Sequence, residues 1–207
     1  MVNRDITEKG KGMIIISITG GMGVGKTTAI DLIRSEFNHA EVVPFAKPLK
    51  TTAYEMGWNG KKDKKGRKLL QLLGTEVGRN LIDPDIWVKK WKRNVDLIIA
   101  DRVEHGNSPA LILCDDIRFN NEAKYVKDNF GYIIKLTSRH NGRTVSSCKK
   151  VWNFFVHRII GIGHKSERGI DHSYVDFMVR NNGSILDLKS RLVNIVSEIE
   201  RQHGTQL

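Results

Sequence analysis

Cysteine is scarce: the 207 residues contain two, Cys114 and Cys148. Two thiols cannot make a disulfide framework, and they lack the spacing of a metal-binding pair, so the chain reads as a protein of a reducing compartment. Long apolar runs are missing too. No stretch approaches the ~20 residues that cross a bilayer, and the N-terminus has no signal-peptide core, so the expected location is cytoplasmic with no membrane partner. Acidic residues are outnumbered, 23 against 34 Lys and Arg, giving a formal charge of +11. That excess suits an anionic partner, either a nucleotide or a nucleic acid. The cations cluster at 61–68, 89–93 and 139–165. No helix-turn-helix, zinc or aromatic RNA-binding signature accompanies them, which argues against nucleic acid.

What is present begins at residues 20–27, Gly-Gly-Met-Gly-Val-Gly-Lys-Thr. This is the full eight-residue phosphate-binding loop, and its context fits. Residues 13–18 are a β-branched run without helical period, and the segment to Phe37 carries apolar residues at helical spacing. Gly20, Gly21, Gly23, Val24 and Gly25 are expected to turn backbone N–H groups toward phosphate at a helix N-terminus. Lys26 is expected to reach the β- and γ-phosphate oxygens, Thr27 to offer its hydroxyl to Mg²⁺, and Thr28 to meet the α-phosphate.

The remaining pattern alternates. Strands are expected at 41–45, 110–114, 132–136 and 175–179, and helices from 46, at 67–81, 85–104, 120–130 and 185–201. In the 67–81 helix, Leu69, Leu70, Leu73, Val77 and Leu81 form the expected buried stripe, with Gln71, Thr75 and Arg79 on another side. The alternation predicts a three-layer α/β P-loop fold, a mostly parallel sheet with helices on both faces. Residues 1–12 are polar and read as a flexible tail, with Met13 an alternative biological start; residues 13–207 read as one domain. The basic, aromatic segment at about 139–165 reads as a mobile lid.

Six ordered blocks follow the loop: Phe45-Ala46-Lys47-Pro48-Leu49-Lys50; 66–76 (Gly-Arg-Lys-Leu-Leu-Gln-Leu-Leu-Gly-Thr-Glu) through Arg79; Asp85-Ile86-Trp87-Val88; Asp116-Ile117-Arg118-Phe119-Asn120-Asn121-Glu122; His164-Lys165-Ser166-Glu167; and Asn181-Asn182-Gly183-Ser184. Together they resemble the deoxynucleoside monophosphate kinases of tailed bacteriophages, a branch of the adenylate-kinase-like group, over nearly all of the chain from Met13. The resemblance implies transfer of the γ-phosphoryl group of ATP to a deoxynucleoside 5′-monophosphate, with Mg²⁺, in the cytoplasm of an infected bacterium, and it allows a homodimer.

It also implies roles for particular residues. Lys26, Asp116 and Arg118 become the catalytic set, with Thr27 and Asp116 toward the metal; Asp115 is the rival if the strand register differs by one. Arg139, Arg143 and Asn182 join the loop on the ATP side. Lys50, Arg67, Gln71, Gly74, Arg79, Trp87 and Glu167 become the acceptor side, Trp87 as a stack or wall for the base. Each has a plainer alternative: Arg67 as a surface cation, Arg79 as half of an ion pair, Trp87 as core. Dephospho-coenzyme A kinase is the nearest competing activity, and a basic ATP-dependent nucleic-acid binder the more distant one.

Overall fold

The β-branched run after Met13 becomes a central strand, β1 (Ile14–Gly20), whose middle residues are all buried. The computed structural model describes residues 13–105, 111–138 and 169–204. The expected tail and lid therefore lie outside the described residues, as do Cys148, Arg139, Arg143, His164 and Glu167.

Among the described residues, six α-helices and four further strands follow β1: α1 (Lys26–Glu36), β2 (Ala40–Val42), α2 (Lys47–Glu55), α3 (Lys64–Gln71), α4 (Ile86–Glu104), β3 (Leu111–Cys114), α5 (Asn120–Asp128), β4 (Tyr132–Thr137), β5 (Phe177–Arg180) and α6 (Ile185–Gly204). The strands pair in parallel in the order β2-β3-β1-β4-β5. One face of the sheet packs Ile16, Ile18, Leu113, Ile134 and Leu136 against α1 and α6. The opposite face packs Ile15, Ile112, Cys114 and Ile133 against Val88, Trp91 and Val95 of α4 and Ala123 and Val126 of α5. Because strand residues alternate sides, both faces need apolar cover, hence the continuous apolar runs. This is the three-layer P-loop kinase fold.

The topology also locates a crevice. The chain leaves β1 toward β2 on one side and leaves β3 toward β4 on the other, although β1 and β3 are neighbours. Connections that diverge from adjacent strands open a ligand crevice at their carboxyl ends. The phosphate-binding loop and Asp115-Asp116 both stand there.

Two boundaries differ from expectation for visible reasons. β2 was expected to reach Phe45 but ends at Val42. Val43 N still donates to Leu113 O at 2.9 Å, but Pro44 has no N–H to continue the ladder. The helix expected from residue 67 instead starts, as α3, at Lys64, because Asp63 accepts from Gly66 N at 2.7 Å and caps the helix.

The largest departure is Leu72–Ile82, which winds as a π-helix. Its i→i+5 bonding breaks the 3.6-residue period on which the buried stripe was predicted. Leu73 stays buried, but Val77 is 40% and Leu81 79% exposed, while Thr75 is 5% exposed. Ala53, Trp58 and Leu73 form a small separate core here with Leu49, Leu69 and Leu70. Trp58 is thus an anchor, donating its indole N–H to Lys61 O at 3.2 Å.

Candidate active site

The loop joins β1 directly to α1. Gly25 precedes the helix with φ +95°, a left-handed conformation that side chains resist and glycine adopts freely. Lys26 folds over the loop and donates to Gly20 O (3.0 Å) and Gly21 O (2.9 Å). Burial lowers its pKa, the neighbouring Arg118 cation lowers it further, and Asp115 opposes both. Arg118 and Asp115 are thus both near enough to Lys26 to act on its charge.

Thr27 Oγ1 donates to Asp115 Oδ2 at 3.1 Å. The neighbouring carboxylate points elsewhere: Asp116 accepts from Phe45 N (2.6 Å), Ala46 N (2.9 Å) and Cys114 Sγ (3.2 Å). Burial raises its pKa, and the backbone donors only partly offset this. Of the two carboxylates, Asp115, the rival reading, is the one that meets the Thr27 hydroxyl. Consecutive residues at a strand end face opposite sides, so Asp115 follows Leu113 toward α1 and Asp116 follows Cys114 toward α2. Asp116 pins the turn that launches α2, whereas Asp115 bonds to Thr27.

Three acceptor-side expectations also change. Arg79 was expected to touch substrate; instead its Nη2 pairs with Glu122 Oε1 at 2.6 Å, with side chains 10% and 5% exposed. Its Nη1 donates to Pro84 O (3.2 Å) and Asn121 Oδ1 (3.3 Å), and the guanidinium lies 3.9 Å from the Phe119 ring centroid. Glu122 Oε2 accepts from Arg118 N (2.8 Å) and Phe119 N (3.1 Å). The pair thus holds the turn bearing Arg118.

Trp87 was expected to face a base, but it is 4% exposed and its indole N–H donates to Gly74 O at 2.7 Å. A Cβ at Gly78 would lie 2.8 Å from the Trp87 ring, so this glycine exists for the tryptophan. Trp91, one turn on, donates to Val43 O at 2.7 Å and stacks on Phe45 with centroids 4.3 Å apart. Gly74 was expected to admit the acceptor; a Cβ there would meet Leu49 Cδ2 at 3.0 Å. Its smallness serves helix packing.

Arg67 and Gln71 do come together. With Lys62, Asp63, Lys64 and Lys68 they line an open groove of about 730 Å³. Arg67 is exposed, its Nε donating to Lys62 O at 2.9 Å. Lys50 is half-buried on α2. Asn182 lines a second cavity of about 300 Å³ with Thr137, Ser138 and Arg180 at the ends of β4 and β5. Thr28 and Gly21 are exposed and Val24 buried.

Asn181 belongs to one of the blocks that carry the resemblance, from which Asn182 alone was expected on the ATP side. Asn181 Nδ2 donates to Val24 O at 2.9 Å, and its backbone N–H to Thr137 O at 2.7 Å. No local signal separates it from Asn182, since the contact spans 157 residues.

Among the described residues no group of three or more His, Cys, Asp or Glu could cage a metal, and no helix is long and apolar enough to cross a membrane. The Thr27 hydroxyl with the Asp115 carboxylate is a hard-oxygen pair. It suits a Mg²⁺ ion that takes one or two protein oxygens and completes its shell with phosphate and water.

No family model matches the chain. It is 30% identical over 144 residues to a protein of Acanthamoeba polyphaga mimivirus provisionally named a deoxynucleotide monophosphate kinase, covering 60% of this chain and 74% of that one. It is 27% identical over 134 residues to the deoxynucleoside-5′-monophosphate kinase of Escherichia phage T5, covering 62% of this chain and 44% of that one. The chain thus spans less than half of the phage protein's length. Among solved structures it is similar to the dephospho-CoA kinase of Campylobacter jejuni, with 15% identity, a TM-score of 0.49, and coverage of 91% and 98%.

Proposed function

The chain belongs to the deoxynucleotide monophosphate kinase family, and on that premise we propose that it transfers the γ-phosphoryl group of ATP to a deoxynucleoside 5′-monophosphate. An acceptor phosphate oxygen forms the new P–O bond, the bond between the γ-phosphorus and its bridging oxygen breaks, and ADP leaves. The acceptor phosphate is already ionised at neutral pH, so no general base is required. Position and charge neutralisation supply the rate.

The observation that carries this reading is the convergence of Lys26, Thr27, Asp115 and Arg118 at the carboxyl ends of β1 and β3. The loop N–H groups and Lys26 hold the donor phosphates at the start of α1. Thr27 and Asp115 would hold Mg²⁺, which would supply neutralisation of phosphate charge. Arg118, kept in place by the Glu122 carboxylate that binds its backbone, steadies the transferring group. The groove of Lys62, Lys64, Arg67, Lys68 and Gln71 suits an anionic acceptor, with Arg67 offering a planar fork.

Coupled ADP release with ATP, Mg²⁺ and dAMP, dGMP, dCMP, dTMP or dephospho-coenzyme A in separate reactions tests the proposal. Turnover with at least one deoxynucleotide is expected. Turnover with dephospho-coenzyme A alone, or with none, overturns it.

A further inference from the structure

The Val24–Gly25 peptide sits immediately before Lys26, and it is held from a distant part of the chain. Asn181, just past β5, donates its side-chain amide to Val24 O at 2.9 Å. A Cβ on Gly25 would lie 2.8 Å from that same nitrogen, so the amide rests against the Gly25 backbone. Asn181 is itself fixed, because its backbone N–H donates to Thr137 O at the end of β4 (2.7 Å).

A trans peptide is planar, with its C=O and N–H pointing in opposite directions. Holding Val24 O toward Asn181 therefore aims the Gly25 N–H away from it. The peptide needs such a restraint: Gly25 stands at φ +95° and Gly23 at φ +74°, and glycines exchange between such conformations at little cost. A flip would turn the N–H onto Asn181 and the carbonyl, a repulsive dipole for phosphate, into its place.

We propose that Asn181 is a positioning residue for the donor, its amide locking the Val24–Gly25 peptide so that the Gly25 N–H points at a donor phosphate. This rests on the ATP-dependent reading above. Asn181 contacts neither phosphate nor acceptor; it acts through the loop backbone.

Calorimetric binding of ATP and of inorganic tripolyphosphate, without acceptor, tests it with Asn181→Ala and Asn181→Asp. Asn181→Asp keeps the size but has no N–H to donate. Both variants are expected to bind both probes about tenfold more weakly, consistent with the loss of one hydrogen bond. KM for ATP should rise while KM for the acceptor stays within about twofold, and the unfolding midpoint should change little. Unaltered binding in Asn181→Asp overturns the proposal, as does weakening confined to ATP with tripolyphosphate unaffected, which would assign Asn181 to the nucleoside. If the wild-type protein binds both probes but phosphorylates no acceptor, the functional reading fails while this inference stands. If the wild type binds neither, both fail.

Discussion

Thr27 Oγ1 and Asp115 Oδ2 meet at 3.1 Å across 88 residues of sequence, joining the end of the phosphate-binding loop to the end of β3. The contact brings together two oxygens able to share a hard cation, and it distinguishes Asp115 from the adjacent Asp116.

Asp115→Asn is expected to lower kcat by about 10–100-fold, the range seen when a group supporting a metal site is lost. The loss should shrink as Mg²⁺ is raised. A variant with wild-type kcat at all Mg²⁺ concentrations would remove Asp115 from the site.

Asp116→Asn should behave differently, raising KM for the acceptor through a loosened turn before α2 while leaving the Mg²⁺ dependence alone. It should also change stability against pH. Burial raises the Asp116 pKa above 3.8, so between 3.8 and the raised value the folded protein holds a proton that the unfolded chain has lost. Wild-type stability therefore contains a component that falls as pH rises through that window, and Asp116→Asn lacks it. Denaturant titrations across acidic pH measure the difference.

Arg79→Met leaves the Glu122 carboxylate buried without its cation, and is expected to cost about 3–5 kcal/mol. Combining it with Glu122→Gln should cost less than Arg79→Met alone, because no buried charge remains. Equilibrium urea unfolding of both variants checks this, and an additive loss would contradict the ion-pair account.

Lys26 titrates below 10.5 because burial and Arg118 disfavour its charge. Arg118→Met should raise its pKa and Asp115→Asn should lower it further, measured by NMR at the Lys26 amine. Between the lowered value and 10.5 the unfolded chain carries more protons, so this lysine's contribution to stability rises with pH even as the charge needed for phosphate is lost. Movement of the pKa in the opposite direction in either variant would contradict the arrangement.

The sheet and the loop were legible because their signals are local: β-branched runs, eight consecutive residues, and a carboxylate pair after an apolar strand. What escaped the sequence depended on contacts between distant segments. The register at the end of β3 decides which of Asp115 and Asp116 meets Thr27, and a run of residues read alone leaves both open. Trp87 and Arg79 lie in blocks that suggest a substrate surface, yet the π-helical winding of Leu72–Ile82 turns Gly74, Gly78 and Arg79 inward and Leu81 outward. A 3.6-residue period cannot anticipate that rotation. Asn181 was hidden for the same reason, since nothing near it in sequence reveals the carbonyl it holds.

The most direct test follows the phosphoryl group itself. ATP labelled at the γ-phosphate is incubated with Mg²⁺ and a deoxynucleoside monophosphate, and the products are separated, with Lys26→Ala in parallel. The account predicts label in the deoxynucleoside diphosphate for the wild type and none for Lys26→Ala. Label appearing only as inorganic phosphate, or remaining in ATP with every deoxynucleotide, would contradict it.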